Sequence, residues 1–316
     1  MLVCSFARQE TRCEGAFLKT MAVAVNAWKE TVRQPIYYVI LLASAAMIVL
    51  SHFFALFTFG QEAKFIYDMG LATITLATLF QALFSASTVI SDEIEKKTVL
   101  TLLSKPLGRS QFVVGKFLGV AGAVFPATVL LGATLTLTTY WSTVSPYVGH
   151  YHEEGETHSH EHVHPGEEAT GEEEHGREWD EGTLLGFTMV KGKSFAKATF
   201  MIFMQVAMMA GVSVAVSTRL PMLLNLLVCS GVFVLGHLTA YFRVLLGGLG
   251  LVPGFVGEIL YAIVPNLTHF SIVGQKVAVG TPVSGVYVLL ATAYGVGYII
   301  AALIFAFLLL RTREVG

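Results

Sequence analysis

The sequence predicts an all-α polytopic membrane protein with six transmembrane helices. Three observations predict it. Of 316 residues, 54% are hydrophobic and only 13% are charged, about half the charged share of an ordinary soluble domain. The charges gather in a few short stretches, leaving uncharged runs near the roughly 20 residues that cross a bilayer. Those runs are continuously apolar rather than alternating, which fits helices that satisfy their own backbone hydrogen bonds and does not fit a barrel.

Residues 1–35 form the first unit. They are charged throughout, with no apolar run ahead of a small-residue cleavage site, so no cleavable leader is expected. Leu18, Met21, Val25, Trp28 and Val32 are spaced 3, 4, 3 and 4, which puts them on one face of a helix over 17–32. Lys19, Asn26, Glu30 and Arg33 fall on the opposite face. Such a helix lies in the membrane interface with Trp28 at headgroup depth. Pro35 breaks it before the chain enters the bilayer.

Spans are predicted over 36–59, 70–89, 112–140, 198–217, 222–242 and 285–310. The third is long and carries Pro126 near its middle, which predicts a kink or a projection past the membrane. No Asp, Glu, Lys or Arg is expected well inside any span. His52 and His237 are the ionisable groups left there, and both read first as hydrogen-bonded packing residues.

Three pieces outside the spans stand out. Between spans two and three, Asp92 can cap a helix and Glu95 can reach back to it. Glu93 and Lys97 pair at i, i+4, Pro106 and Gly108 end the segment, and Ser110 can cap the next helix. The expectation is a short charged helix over 92–103, pinned between two membrane helices. The second piece, 141–197, is an insertion whose centre at 150–181 holds seven of the ten histidines and twelve of the 22 acids. It has too little apolar content to bury a core, so disorder is expected. Within it His158, His160, His162 and His164 alternate with other residues, a pattern that binds Zn, Cu or Ni weakly and adventitiously in a chain with no supporting shell. The third piece, 244–282, is apolar but broken by glycines and prolines. It predicts a re-entrant segment with a short helix over 255–264, tolerated at membrane depth where protein or water lines it.

Orientation follows from the basic residues. With the N-terminus cytoplasmic, thirteen of the 20 Lys and Arg fall inside and fifteen of the 22 acids fall outside. Both termini, including 311–316, are then cytoplasmic, in a cell (inner) membrane. The three cysteines make no disulfide framework.

Chemistry is constrained by what is missing. The phosphate-cradling loop of an ATPase is approached at Gly192-Lys193-Ser194, but Phe187 stands where its first glycine belongs. An ion-coupled carrier needs charges inside the bilayer, and an intramembrane hydrolase needs a catalytic pair or triad in a span. Neither is evident, and no enzymatic activity is expected of the chain.

The run Ser91-Asp92-Glu93-Ile94-Glu95-Lys96-Lys97-Thr98-Val99-Leu100-Thr101-Leu102-Leu103-Ser104-Lys105-Pro106-Leu107-Gly108-Arg109, followed by Gly115-Lys116-Phe117-Leu118-Gly119, resembles the hallmark of ABC type-2 permeases. The branch it is most similar to is labelled multi-copper enzyme maturation. The resemblance is specific over about 30 residues and extends in layout to most of the chain, with the His/Glu-rich insertion as a departure. It implies that Asp92, Glu93, Glu95, Thr98, Leu102, Leu103, Lys105, Pro106 and Arg109 belong to a coupling element that docks on a separate ABC ATPase subunit. It also implies a second permease chain, identical or not, across a central pathway. ATP and Mg would sit on the ATPase subunit, with no cofactor in this chain and no nucleic acid. Two other readings stay open: a metal-cation carrier using His52, His237 and the His-rich loop, and a non-transporting membrane anchor.

Overall fold

The computed structural model describes residues 2–55, 62–95, 108–144, 192–247, 264–278 and 284–311. Their regular structure is entirely helical: α1 (Leu2–Arg33), α2 (Pro35–Ala55), α3 (Glu62–Glu95), α4 (Arg109–Val144), α5 (Gly192–Ser217), α6 (Met222–Gly247), α7 (Thr268–Ala278) and α8 (Gly285–Arg311). Six of them, α2 to α6 and α8, are long and apolar enough to cross a membrane. All six coincide with the expected spans, and the chain is a multi-pass membrane protein.

The helices outrun the hydropathy windows. α3 starts eight residues before the expected 70 and ends six after the expected 89. Hydropathy marks where lipid begins, whereas a helix stops where propensity fails. Between Glu62 and Glu95 there is no proline and one glycine, Gly70, so nothing stops it. At about 1.5 Å per residue, α3 is about 50 Å long and α4 about 54 Å, against roughly 30 Å of hydrocarbon. α4 carries Pro126 inside its 36 residues and is longer than a bilayer is thick. The insertion loses both flanks: residues 141–144 belong to α4 and 192–197 to α5. The histidines at 158, 160, 162 and 164 lie outside the described residues.

Two local expectations are corrected. Asp92 does not start a helix, because it lies in the last turn of α3. An Asp caps only where the preceding residues leave the helix, and Val89, Ile90 and Ser91 stay in it. Ser110 does not cap α4. Gly108 does: its carbonyl accepts the first helical bond from Phe112 N at 3.2 Å, and Gln111 Oε1 accepts from Gly108 N at 3.2 Å. That is the back-reaching half of a capping box.

Burial separates centre from edge. In the most apolar stretches, 72% of α5 and 61% of α3 are buried, against 22% for α2 and α6 and 28% for α8. α5 packs on α3, α4, α6, α7 and α8, and α3 is the other hub. Large apolar side chains on α2, α6 and α8 face outward, Leu42, Leu227 and Leu289 among them, as lipid-facing helices require.

Before the last span the backbone is irregular at 264–267 and Val264, Pro265, Asn266 and Leu267 are buried. Of the helix expected over 255–264, Val264 is described and sits in a bend, and a further short helix, α7, follows it. Residues 248–263 lie outside the described residues. The irregular turn rests on α6 at Gly236, where a Cβ would stand 2.7 Å from the Pro265 carbonyl. Leu267 N donates to Gly236 O at 3.1 Å, and Asn266 Oδ1 caps α7 by accepting from Thr268 N at 3.1 Å. At eleven residues, about 16 Å, α7 is too short to span.

One end of the bundle gathers α1, the C-terminal ends of α3, α5 and α8 and the start of α4 and α6. Arg219 Nη2 donates to Leu309 O at 2.8 Å. Asn225 Nδ2 donates to Ser87 Oγ and Ser213 Oγ at 2.5 and 2.8 Å, and Cys229 Sγ donates to Asn225 Oδ1 at 3.2 Å. That buried amide has partners on α3, α5 and its own helix.

Candidate functional site

The densest joint in the molecule lies at that end, where α1 packs along α4. On α4, Gly115, Gly119 and Ala123 recur every fourth residue and so form one stripe. A Cβ at Gly119 would stand 2.5 Å from Ala27 Cβ and 2.6 Å from the Ala24 carbonyl. At Gly115 it would stand 2.8 Å from Val23 and 3.0 Å from the Thr20 carbonyl. Backbone therefore rests on backbone, and Ala24, Ala27 and Thr31 of α1 are buried in the seam. The large apolar stripe behaves differently. Leu18 is 67% exposed and Trp28 42% exposed, and Met21 and Val25 are exposed as well. α1 thus shows two faces, a small-residue face to protein and a large apolar face away from it.

A charge crosses the seam. Lys116 of α4 is 2% exposed, so a lysine is buried within a spanning helix where none was expected. Its Nζ lies 3.7 Å from Glu30 Oε2 on α1 and donates to Val89 O on α3 at 3.3 Å. The ammonium also lies 5.7 Å from the Phe112 ring centroid. Removing such a charge from water is unfavourable unless counter-charge and acceptors are in place. Here α1 supplies the counter-charge and α3 an acceptor.

Two more bonds tie the α1–α2 corner to the same place. Gln34, the one non-helical residue between α1 and α2, donates from Nε2 to Thr88 Oγ1 on α3 at 2.8 Å. Pro35 then opens α2, where its missing N–H is no loss, and Tyr37 donates its hydroxyl to Ala123 O on α4 at 3.0 Å. The corner of α1 and α2, the end of α3 and the start of α4 are held by hydrogen bonds and one ion pair.

Of the coupling residues expected from the sequence, Asp92, Glu93 and Glu95 form the last turn of α3, one turn past Val89. Arg109 is the first residue of α4. Thr98, Leu102, Leu103, Lys105 and Pro106 lie outside the described residues. Three acids at a helix C-terminus face the negative end of its dipole, each unfavourable by about 0.3–1 kcal/mol when exposed. No basic residue occupies that turn. A docked cation would relieve this.

The two span histidines are not brought together. His237 packs as expected: Nδ1 lies 3.0 Å from Phe233 O and Nε2 lies 3.3 Å from Gln205 Nε2. His52 does not: its Nδ1 is buried with no hydrogen-bond partner, and its ring lies edge-on to Phe53. Among the described residues no three His, Cys, Asp or Glu side chains are grouped as a metal would need.

Sequence reasoning missed the Gly115/Gly119/Ala123 stripe as a packing seam, although its every-fourth spacing was readable. It also missed Lys116 as a buried group, which no local signal marked. With the geometry in place, comparison with known proteins adds no name. The chain matches no protein-family model and no curated protein.

Proposed function

We propose that this chain is the membrane-spanning subunit of an ABC type-2 exporter, driven by ATP hydrolysis on a separate subunit. One observation carries the reading. The permease-like sequence begins on the last turn of α3 and ends at the start of α4, the two helix ends that meet at Lys116, so force applied to these ends reaches α1, α3 and α4 together. The acidic last turn of α3 is the docking surface for the ATPase. The push passes through the Glu30–Lys116–Val89 contacts into α3, the buried hub. α1 lies in the cytoplasmic membrane interface, with Leu18, Met21, Val25 and Trp28 toward lipid. Two such chains pair and rock relative to each other to open a pathway.

The chain does no bond-making chemistry in this scheme; its share is coupling and passage. Co-expression with a tagged ABC ATPase subunit tests the partnership. Wild-type chain co-purifies with it, and the Glu93→Arg/Glu95→Arg variant does not. Equal recovery of both, from chains that are equally well folded, removes the docking assignment.

A further inference from the structure

A second polar feature lies at the other end of α3, about 40 Å along the helix from Glu95. A cavity of about 370 Å³ opens there between α3, α5, α6 and α7. Leu71, Ile202, Phe233 and Phe270 give it apolar walls, and Asp68, Thr75, Gln205, His237 and Ser271 give it polar groups.

The hydrogens of those polar groups are nearly all spent. Thr75 Oγ1 donates to Leu71 O at 2.8 Å, and Ser271 Oγ donates to Thr268 O at 3.0 Å. A carbonyl only accepts, so the Phe233 carbonyl 3.0 Å from His237 Nδ1 places the imidazole hydrogen on Nδ1. His237 Nε2 then accepts from Gln205 Nε2 at 3.3 Å. Gln205 is 2% exposed, and among the described residues its Oε1 accepts no hydrogen bond. Asp68 is exposed, and among the described residues no hydrogen bond or ion pair engages it. The cavity therefore offers a carboxylate, an amide oxygen and hydroxyl lone pairs, against one spare hydrogen on Gln205 Nε2. Acceptors that outnumber hydrogens around a cavity favour a ligand rich in donors.

We infer that this cavity binds the protonated primary amine head of a single-chain amphiphile, with its tail along the apolar walls. An ammonium brings three donors, no acceptor and the charge that Asp68 lacks. The Phe233 and Phe270 rings add cation–π attraction. The volume is at the small end of ligand cavities, which fits one chain rather than a two-tailed lipid. The inference deepens the permease reading by naming a substrate class, and its meaning as transport rests on that reading.

Binding of dodecylamine to the full chain in phosphatidylcholine nanodiscs, corrected with empty discs, tests it. Saturable binding is expected. Asp68→Asn and Gln205→Leu each weaken it about tenfold, as loss of a charge-assisted or buried bond would. Dodecyltrimethylammonium, which carries the charge without donors, binds about tenfold more weakly, and dodecyl sulfate does not saturate. Equal affinity in wild type and Asp68→Asn, a substitution at an exposed position, overturns the site whatever Gln205→Leu does to folding. So does saturable binding of the sulfate. Failure of the permease reading looks different: Asp68-dependent amine binding persists while no ABC ATPase responds to the chain.

Discussion

The two ends of α3 are built on opposite plans. At the Lys116 end, glycines bring backbones into contact and a buried ammonium is surrounded by partners on three helices. At the Asp68 end, the same helix borders a cavity where, among the described residues, a carboxylate has no partner and an amide oxygen has no donor. The first arrangement is close-packed and leaves no cavity beside its buried charge. The second is incomplete and leaves something to bind. A helix that is clamped at one end and open at the other can carry displacement from the clamp to the cavity.

The sharpest way to break this contrast is to overfill each end. Gly119→Val forces α1 off α4, because the obstruction is the Ala24 carbonyl and cannot rotate away. It should lower stability by about 3 kcal/mol, the upper range for overpacking. Gly274→Ala, at the cavity end, meets only the Leu71 side chain at 3.2 Å and should change stability by less than about 1 kcal/mol. Thermal unfolding in detergent separates them, and equal losses would erase the distinction.

The ion pair gives the next largest effect, through an asymmetry. Glu30→Gln leaves the Lys116 ammonium buried without its counter-charge and should destabilise by about 1–2 kcal/mol, discounted because Glu30 is 38% exposed. Lys116→Met removes the buried charge and keeps its bulk, so stability should stay within about 1 kcal/mol while ATPase coupling falls. If Lys116→Met destabilises more than Glu30→Gln, the ammonium holds the joint together rather than being held by it.

The smallest effect lies midway along α3. Gln81 is 1% exposed and lies beside the Tyr37 hydroxyl, but that hydroxyl donates to Ala123 O, and among the described residues neither amide atom of Gln81 makes a hydrogen bond of good geometry. Gln81→Leu should therefore be neutral or stabilising by up to about 1 kcal/mol, since an apolar group of similar size needs no partner there. A clear loss in unfolding temperature would mean that this amide is satisfied in the membrane-embedded protein.

Much of the fold was legible in the sequence because lipid imposes a simple rule: long apolar runs become helices. All six spans follow from it. Their ends did not, since the residues that extend α3, such as Glu62, Lys64 and Glu95, are polar but form helix well. α7 escaped because Gln275 and Lys276 dilute its hydropathy and its caps lie in a stretch read only for its breakers. The joint was half legible. The acidic run and Gly115-Lys116 stood out as a pattern, but the burial of Lys116 depends on Glu30 and Val89, 86 and 27 residues away. The cavity was not legible, since its polar groups come from four helices and only His237 had been singled out.

The central claim is that a separate ATPase drives this chain through the acidic end of α3. Its most direct test is nucleotide hydrolysis by an ABC ATPase subunit reconstituted with the chain in nanodiscs. The account predicts that wild-type chain alters the hydrolysis rate several-fold and that the Glu93→Ala/Glu95→Ala variant, inserted and folded equally well, leaves it at the level of the ATPase alone. A double variant that couples as well as wild type would contradict the account.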